Sequence, residues 1–209
     1  TDSLSLGFSA TAMHYVSEKP CQIKNHVHVV GADVEEKKQF MAQAAIDWES
    51  ILLSRAKELA LGGRFVCMNF GIDEKGRFLG NTGGHSMFDK FTDHWQTLLN
   101  QEIITEEEFK AATFAQHYRT VSEFKKPFED QNSKVFKSGL RLKSCHTKLT
   151  ECPYKKNYIE NINSMSSEDF AKNLVPTLRS WSETVFRTAL LDRENHEINL
   201  IVDKFYNSY

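Results

Sequence analysis

Between Ser3 and Phe70 the spacing of apolar residues changes from two to about 3.6 and back, and no other feature of the sequence limits the fold as much. Ser3-Leu4-Ser5-Leu6-Gly7-Phe8 alternates polar and apolar side chains, as a strand with two unlike faces does. Only Thr1 and Asp2 stand before it, an abrupt start for a domain. From Asp33 to Leu61, the residues Val34, Phe40, Ala44, Trp48, Ile51, Leu52 and Leu59 recur at steps of three and four, the stripe of an amphipathic helix. Glu35 and Glu36 suit its first turn, and Gly62-Gly63 suit a left-handed cap after its last. Phe65-Val66-Cys67-Met68-Asn69-Phe70 is apolar at alternate and intervening positions alike, so it reads as a strand covered by helices on both faces. Strand, helix, strand predicts a βαβ unit, with residues 3–8 and 64–70 as neighbours in a mostly parallel, open α/β sheet.

After Phe70 the character changes. Asp73 to His85 holds Gly76, Gly80, Gly83 and Gly84 among polar residues and reads as a mobile loop. Met87 to Gln101 reads as a helix. Thr105 with Glu108 forms a capping-box signature for a short helix ending near Ala112, and Ser166 with Asp169 opens a long one reaching about Leu191. Pro176 should kink that helix or divide it. Glu197 to Tyr206 carries Ile198, Ile201, Val202 and Phe205 on one stripe of a last helix. Residues 118–158 are mixed, with Gly139 to Lys143 readable as a strand.

Charge and composition remove several classes of function. Across 209 residues, 26 basic side chains meet 28 acidic ones, without the basic block that phosphate neutralisation needs, so no nucleic acid is expected. No apolar run is long enough to span a bilayer and no signal pattern opens the chain. Four cysteines are too few for a disulfide framework, and a reducing cytoplasm is the expected compartment.

Few residues form a recognisable catalytic pattern. His26-Val27-His28 on a strand would aim both imidazoles at one face, but spacing offers no third metal ligand. The loop glycines are not followed by Lys-Ser/Thr, and no Gly-x-Ser-x-Gly elbow exists. The informative stretch is Gly7 to Ser17, where the first strand runs into small residues and then His14 and Tyr15. Ligands in open α/β sheets lie outside the carboxyl ends of the strands. Ser9 to Tyr15 would sit there, with small side chains that admit a ligand and two aromatic rings able to donate hydrogen bonds to an anionic oxygen.

In this stretch the sequence resembles the plant salicylate, benzoate and theobromine type of S-adenosylmethionine-dependent carboxyl methyltransferases (SABATH) and their non-plant relatives. The residues that carry the resemblance are Ser9-Ala10-Thr11-Ala12-Met13-His14-Tyr15-Val16-Ser17, Pro20, Arg55 to Leu59, Gly62 to Val66, Leu98 to Phe109 and Tyr118-Arg119-Thr120 before Glu123-Phe124. It implies a class I (Rossmann-like) methyltransferase sheet, represented in part, with a largely helical cap. Residues 1–83 would be the C-terminal part of the α/β core, 84–165 the substrate-binding cap and 166–209 helices returning to the core. By position, Thr11, His14 and Tyr15 match substrate-contacting places, Phe70, Met87 and Phe88 match the apolar wall around the substrate, and Ser9 and Ala10 match the strand end beside S-adenosylmethionine.

The resemblance also has gaps. The family's glycine loop and ribose-binding acid lie upstream of Thr1, so the match is to its C-terminal two-thirds, and this chain alone is expected to hold the cofactor weakly or not at all and to be inactive. Tyr15 stands where the family usually has Trp. The Asp and Asn of the plant metal site have no counterpart between Ala111 and Phe114, so no metal is expected. The implied activity is methylation of the carboxylate of a small organic acid, with no general base needed and a homodimer compatible with it. The alternative is a non-catalytic small-acid-binding or interaction protein of the same fold. An unrelated α/β enzyme would need a nucleophile, and none is recognisable.

Overall fold

The computed structural model describes residues 2–81 and 84–209; Thr1, Thr82 and Gly83, the last being one of the loop glycines noted above, lie outside the described residues. The protein is α/β, with small parallel sheets and many helices. It divides into two compact units. The first comprises residues 1–21, 28–87 and 115–148, the second residues 22–27, 88–114 and 149–209.

In the first unit, strand β1 (Leu4–Ala10) leads to helix α1 (Val34–Glu58), which runs straight into strand β2 (Leu59–Met68). The strands pair in parallel, with Gly7 opposite Phe65 and Ala10 opposite Met68, as the change of period predicts. Asp33 caps α1 and forms a capping box with Glu36.

Two expectations about this unit are corrected. Helix α1 ends at Glu58 with Leu59 already extended, so Gly62-Gly63 do not cap it. They lie within β2, where the register slips: Leu4 faces Leu59, but Leu6 faces Arg64. Gly62 takes a φ of 80°, and a Cβ on Gly63 would lie 2.6 Å from the Leu4 carbonyl oxygen and 2.8 Å from that of Ala60. Backbone cannot yield as a flexible side chain can. Gly63→Ala is therefore expected to cost about 1–3 kcal/mol in urea unfolding; an unchanged midpoint would mean that the bulge has room.

The second correction concerns the faces of the sheet. Phe65 and Cys67 are half-buried and pack against Trp48, Leu52 and Val135. On the opposite face Phe8 is 64% and Val66 44% exposed, so among the described residues helices cover one side. Alternation along a strand marks two faces but cannot show that both are covered.

A second two-stranded sheet pairs β3 (Gly71–Ile72) in parallel with β4 (Arg119–Thr120). Within the loop expected over residues 73–85, residues 73–77 form a hydrogen-bonded turn: the Asp73 carboxylate accepts from the N–H groups of Lys75 and Arg77 and from Arg77 Nε. Helix α4 (Val121–Glu129) follows β4 under a Thr120 and Glu123 capping box, and α5 (Lys134–Lys137) is a single turn. Gly139 to Lys143 is not a strand. Its Arg141 lies over the Phe136 ring at 3.7 Å and donates to the Phe136 carbonyl, which ties the segment to its own neighbour.

The second unit is helical: α2 (Met87–Asn100, from Phe88 onward), α3 (Glu106–Ala111), α6 (Pro153–Glu160), α7 (Ser167–Ala189) and α8 (Asn195–Ser208). Both predicted capping boxes form, Thr105 with Glu108 and Ser166 with Asp169. Helix α7 passes through Pro176 as one assigned helix rather than two. Packing beyond the proline holds it, because Leu178, Ser182 and Phe186 are buried, Ser182 Oγ meets the Tyr206 hydroxyl at 2.6 Å, and Arg179 reaches Asp203 at 2.7 Å. Phe88, Phe91, Trp95, Phe114, Phe186 and Phe205 form its aromatic centre. No described helix is long and apolar enough to cross a membrane.

Candidate active site

The candidate site lies at the carboxyl ends of β1 and β2. Ser9 is half-buried and paired with Cys67, while Ala10 is exposed. The chain then leaves the sheet at Thr11, which is exposed and adopts a φ of 52°, with its N–H on the Met68 carbonyl at 2.8 Å. A non-glycine residue held in this region is strained unless its surroundings fix it.

Residues 115–119 supply much of that support. The Val16 N–H donates to the Ala115 carbonyl, the His117 N–H donates to the His14 carbonyl at 2.8 Å, and Tyr15 bridges to Gln116. Arg119 donates to the Met13 carbonyl, and beyond Tyr15 the backbone N–H and hydroxyl of Ser17 both donate to Asp47 on α1.

His14 is the centre of the arrangement. It is 3% exposed and ringed by Tyr15, Phe70 and Tyr118, with ring centroids at 4.4, 5.1 and 5.7 Å. Burial lowers its pKa, the nearby Arg119 charge acts in the same direction, and the hydrogen bond to Asn69 only partly offsets them. The ring is therefore neutral at pH 7. Its Nδ1 lies 3.3 Å from Asn69 Oδ1, and with the amide so oriented that oxygen can only accept. In that orientation the proton sits on Nδ1 and Nε2 accepts; with the amide reversed Nδ1 accepts and Nε2 carries the proton. Tyr15 is 50% exposed and its hydroxyl bonds no described residue.

Phe70 edges onto both His14 and Tyr118. Burial raises the Tyr118 pKa, so that phenol stays neutral while it donates to Gln116 Oε1 at 3.3 Å. Met87 is half-buried at the head of α2, its N–H on the Gly80 carbonyl. Phe88 is fully buried in the second unit against Phe91, Phe114 and Trp181.

A cavity of about 310 Å³ opens beside Tyr15, lined by Val16, Ser17, Asp47, Ser50 and Ile51. The Asp47 carboxylate makes it a poor seat for an anionic head group. Beneath the loop, burial works to raise the Glu123 carboxyl, but hydrogen bonds from His117 and Thr120 outweigh it and hold the pKa at about 2.

The paired imidazoles expected at residues 26–28 do not share a strand face. His26 turns to Asp89 at 3.2 Å, and His28 accepts from the Val30 N–H while its ring lies 4.9 Å from that of Tyr118. The segment forms bends instead of a ladder, so alternation of side chains does not apply. Among the described residues no group of three His, Cys, Asp or Glu could hold a metal.

Asn69 and Arg119 were not singled out from the sequence. Asn69 could have been noticed as the one polar residue in the Phe65–Phe70 run, whereas Arg119 enters only within the Tyr118-Arg119-Thr120 match, which does not mark its role.

A family model described as SAM-dependent carboxyl methyltransferase covers residues 1–207. The chain belongs to this methyltransferase family. It is 20% identical to a loganic acid O-methyltransferase of Catharanthus roseus over 90% of the chain and 57% of that protein. It is 27% identical to a farnesoic acid carboxyl-O-methyltransferase of Arabidopsis thaliana over 76% of the chain and 47% of that protein. A solved structure of a loganic acid methyltransferase with SAH matches with a TM-score of 0.68 and 16% identity, over 99% of this chain and 55% of that one. That likeness establishes the methyltransferase fold. The chain thus spans about half the length of the relatives it matches.

Proposed function

We propose that this chain provides the acid-binding part of an S-adenosylmethionine-dependent methyltransferase that turns the carboxylate of a small organic acid into its methyl ester. The observation that carries the reading is Tyr15: its half-exposed phenol rests on a buried, neutral imidazole at the carboxyl ends of two parallel strands. Ser9 and Ala10 suit one wall of the cofactor site, because side chains this small leave the strand end open to a ligand. When bound, the cofactor supplies an electrophilic methyl group on a sulfonium. The chain's own task is to hold the acid. A carboxylate is a nucleophile at neutral pH, so orientation and exclusion of water are what its residues must provide. In this reading the Tyr15 hydroxyl donates to one carboxylate oxygen and leaves the other free to react, His14 fixes the direction of the Tyr15 ring, Phe70 closes the aromatic side, and the exposed Thr11 borders the head group.

The rest of the reading rests on the resemblance. It takes the two strands as part of a Rossmann-like open sheet, the helices between residues 84 and 165 as a cap with Met87 and Phe88 in its apolar wall, a homodimer as the assembly and the cytoplasm as the compartment. The test is methyl transfer by the full-length protein from radiolabelled S-adenosylmethionine to a panel of small carboxylic acids. A labelled, extractable methyl ester is the expected product. Acid binding without transfer to any member of the panel would favour the non-catalytic alternative.

A further inference from the structure

Arg119 is 2% exposed, yet it bonds no carboxylate among the described residues. One guanidinium nitrogen donates to the Met13 carbonyl, another to the Ala44 carbonyl on α1 at 2.6 Å, and Nε has no partner among the described residues. The group lies over the rings of Trp48 and Phe124, at 5.6 and 5.9 Å from their centroids. The acids whose charges reach it are Asp47 and Glu123. Both are otherwise engaged. The Asp47 oxygens accept from the Ser17 N–H, the Ser17 hydroxyl and the Gln43 amide. Those of Glu123 accept from Thr120 and meet His117 Nε2 at 2.7 Å. A buried cation without an ion pair is costly, and folds ordinarily pair such a charge or leave it out. Here its hydrogen bonds go to backbone carbonyls, and the first of these belongs to the peptide bond between Met13 and His14.

We propose that Arg119 is the positioning residue of the Thr11–Tyr15 loop and the source of positive potential for an acid bound there. Its fork holds the Met13–His14 peptide against α1, which places the His14 ring beneath Tyr15. No carboxylate bonds to it directly, so the part of its charge that Asp47 and Glu123 do not offset acts on the loop and on an incoming anion. This inference rests on the acid-binding reading above, and its test separates the two.

In the full-length protein, Arg119→Met keeps the apolar stem and removes the charge, while Arg119→Lys keeps the charge and loses the fork. By NMR, the His14 imidazole is expected to titrate at higher pH in Arg119→Met than in wild type and to return toward the wild-type value in Arg119→Lys. The other groups about that ring, Asn69, Tyr15 and Tyr118, are the same in all three proteins. Benzoate, used as a carboxylate probe, is expected to bind Arg119→Met about tenfold more weakly, as loss of one partly screened charge predicts, with methyl benzoate binding unchanged. An unmoved His14 titration, or equal losses for benzoate and its ester, overturns the electrostatic role. Should Arg119→Met fail to fold, Arg119→Lys decides by the His14 titration: a value near that of the wild type supports the electrostatic role, and a value displaced to higher pH overturns it. A wild-type protein that does not prefer benzoate counts against the acid-binding reading itself, and the His14 titration still decides whether Arg119 acts on that ring.

Discussion

Phe91→Ala is expected to destabilise the second unit by about 3–5 kcal/mol, the usual cost of truncating a buried aromatic residue to alanine. Phe91 is fully buried. Its ring meets those of Phe114, Trp181, Phe186, Phe205 and Tyr209, with centroids between 5.1 and 6.2 Å away. These neighbours come from α7, α8, Tyr209 just after α8 and the segment after α3, so no single element can move to fill the space left behind. Large planar side chains also relax poorly into a void, which puts the site toward the costly end of the range. Phe8→Ala is the control. Phe8 projects from the uncovered face of β1, and its loss should stay within about 0.5 kcal/mol. Chemical denaturation of both variants measures the difference. A loss below about 1 kcal/mol for Phe91→Ala would mean that the aromatic centre is not the main support of this unit.

How far the sequence could be read depends on the range over which each signal acts. The βαβ unit was legible because its alternation and its helical stripe are local and long. Capping boxes were legible because Thr105 with Glu108, and Ser166 with Asp169, lie within one helical turn. Gly62-Gly63 misled because a left-handed glycine after a helix and one inside a strand bulge look alike until the strand partner is known, and that partner is Leu4. Val66 and Met68 misled for a related reason, since an apolar side chain does not say what covers it. At the site, the strand end carrying Ser9 to Tyr15 could be read locally. Asn69 and Arg119 could not, because the first acquires its role by meeting His14 and the second by reaching Met13 and Ala44. The direction of the His14 proton depends on such a contact as well, the one to Asn69.

If the full-length protein methylates an acid as proposed, Tyr15→Phe is expected to lower kcat/KM roughly tenfold or more. A hydrogen bond to a charged group contributes about 1.5–3 kcal/mol, and about 1.4 kcal/mol corresponds to one decade in rate. Stability should change by no more than about 0.5 kcal/mol, because the phenol is half-exposed and its hydroxyl bonds no described residue. Function and folding can thus be separated at this position. His14→Ala acts differently: it removes the ring at 4.4 Å that supports Tyr15, along with the contact to Asn69. If His14 works by directing the Tyr15 hydroxyl and not by its own hydrogen bond to the acid, each single variant removes most of the same interaction. The double variant should then be scarcely worse than the poorer single one. Additive losses would mean that His14 holds the acid independently, with its proton on Nε2 and the Asn69 amide reversed. Unchanged kinetics for Tyr15→Phe would make Tyr15 a packing residue and leave His14 as the remaining candidate for contact with the carboxylate.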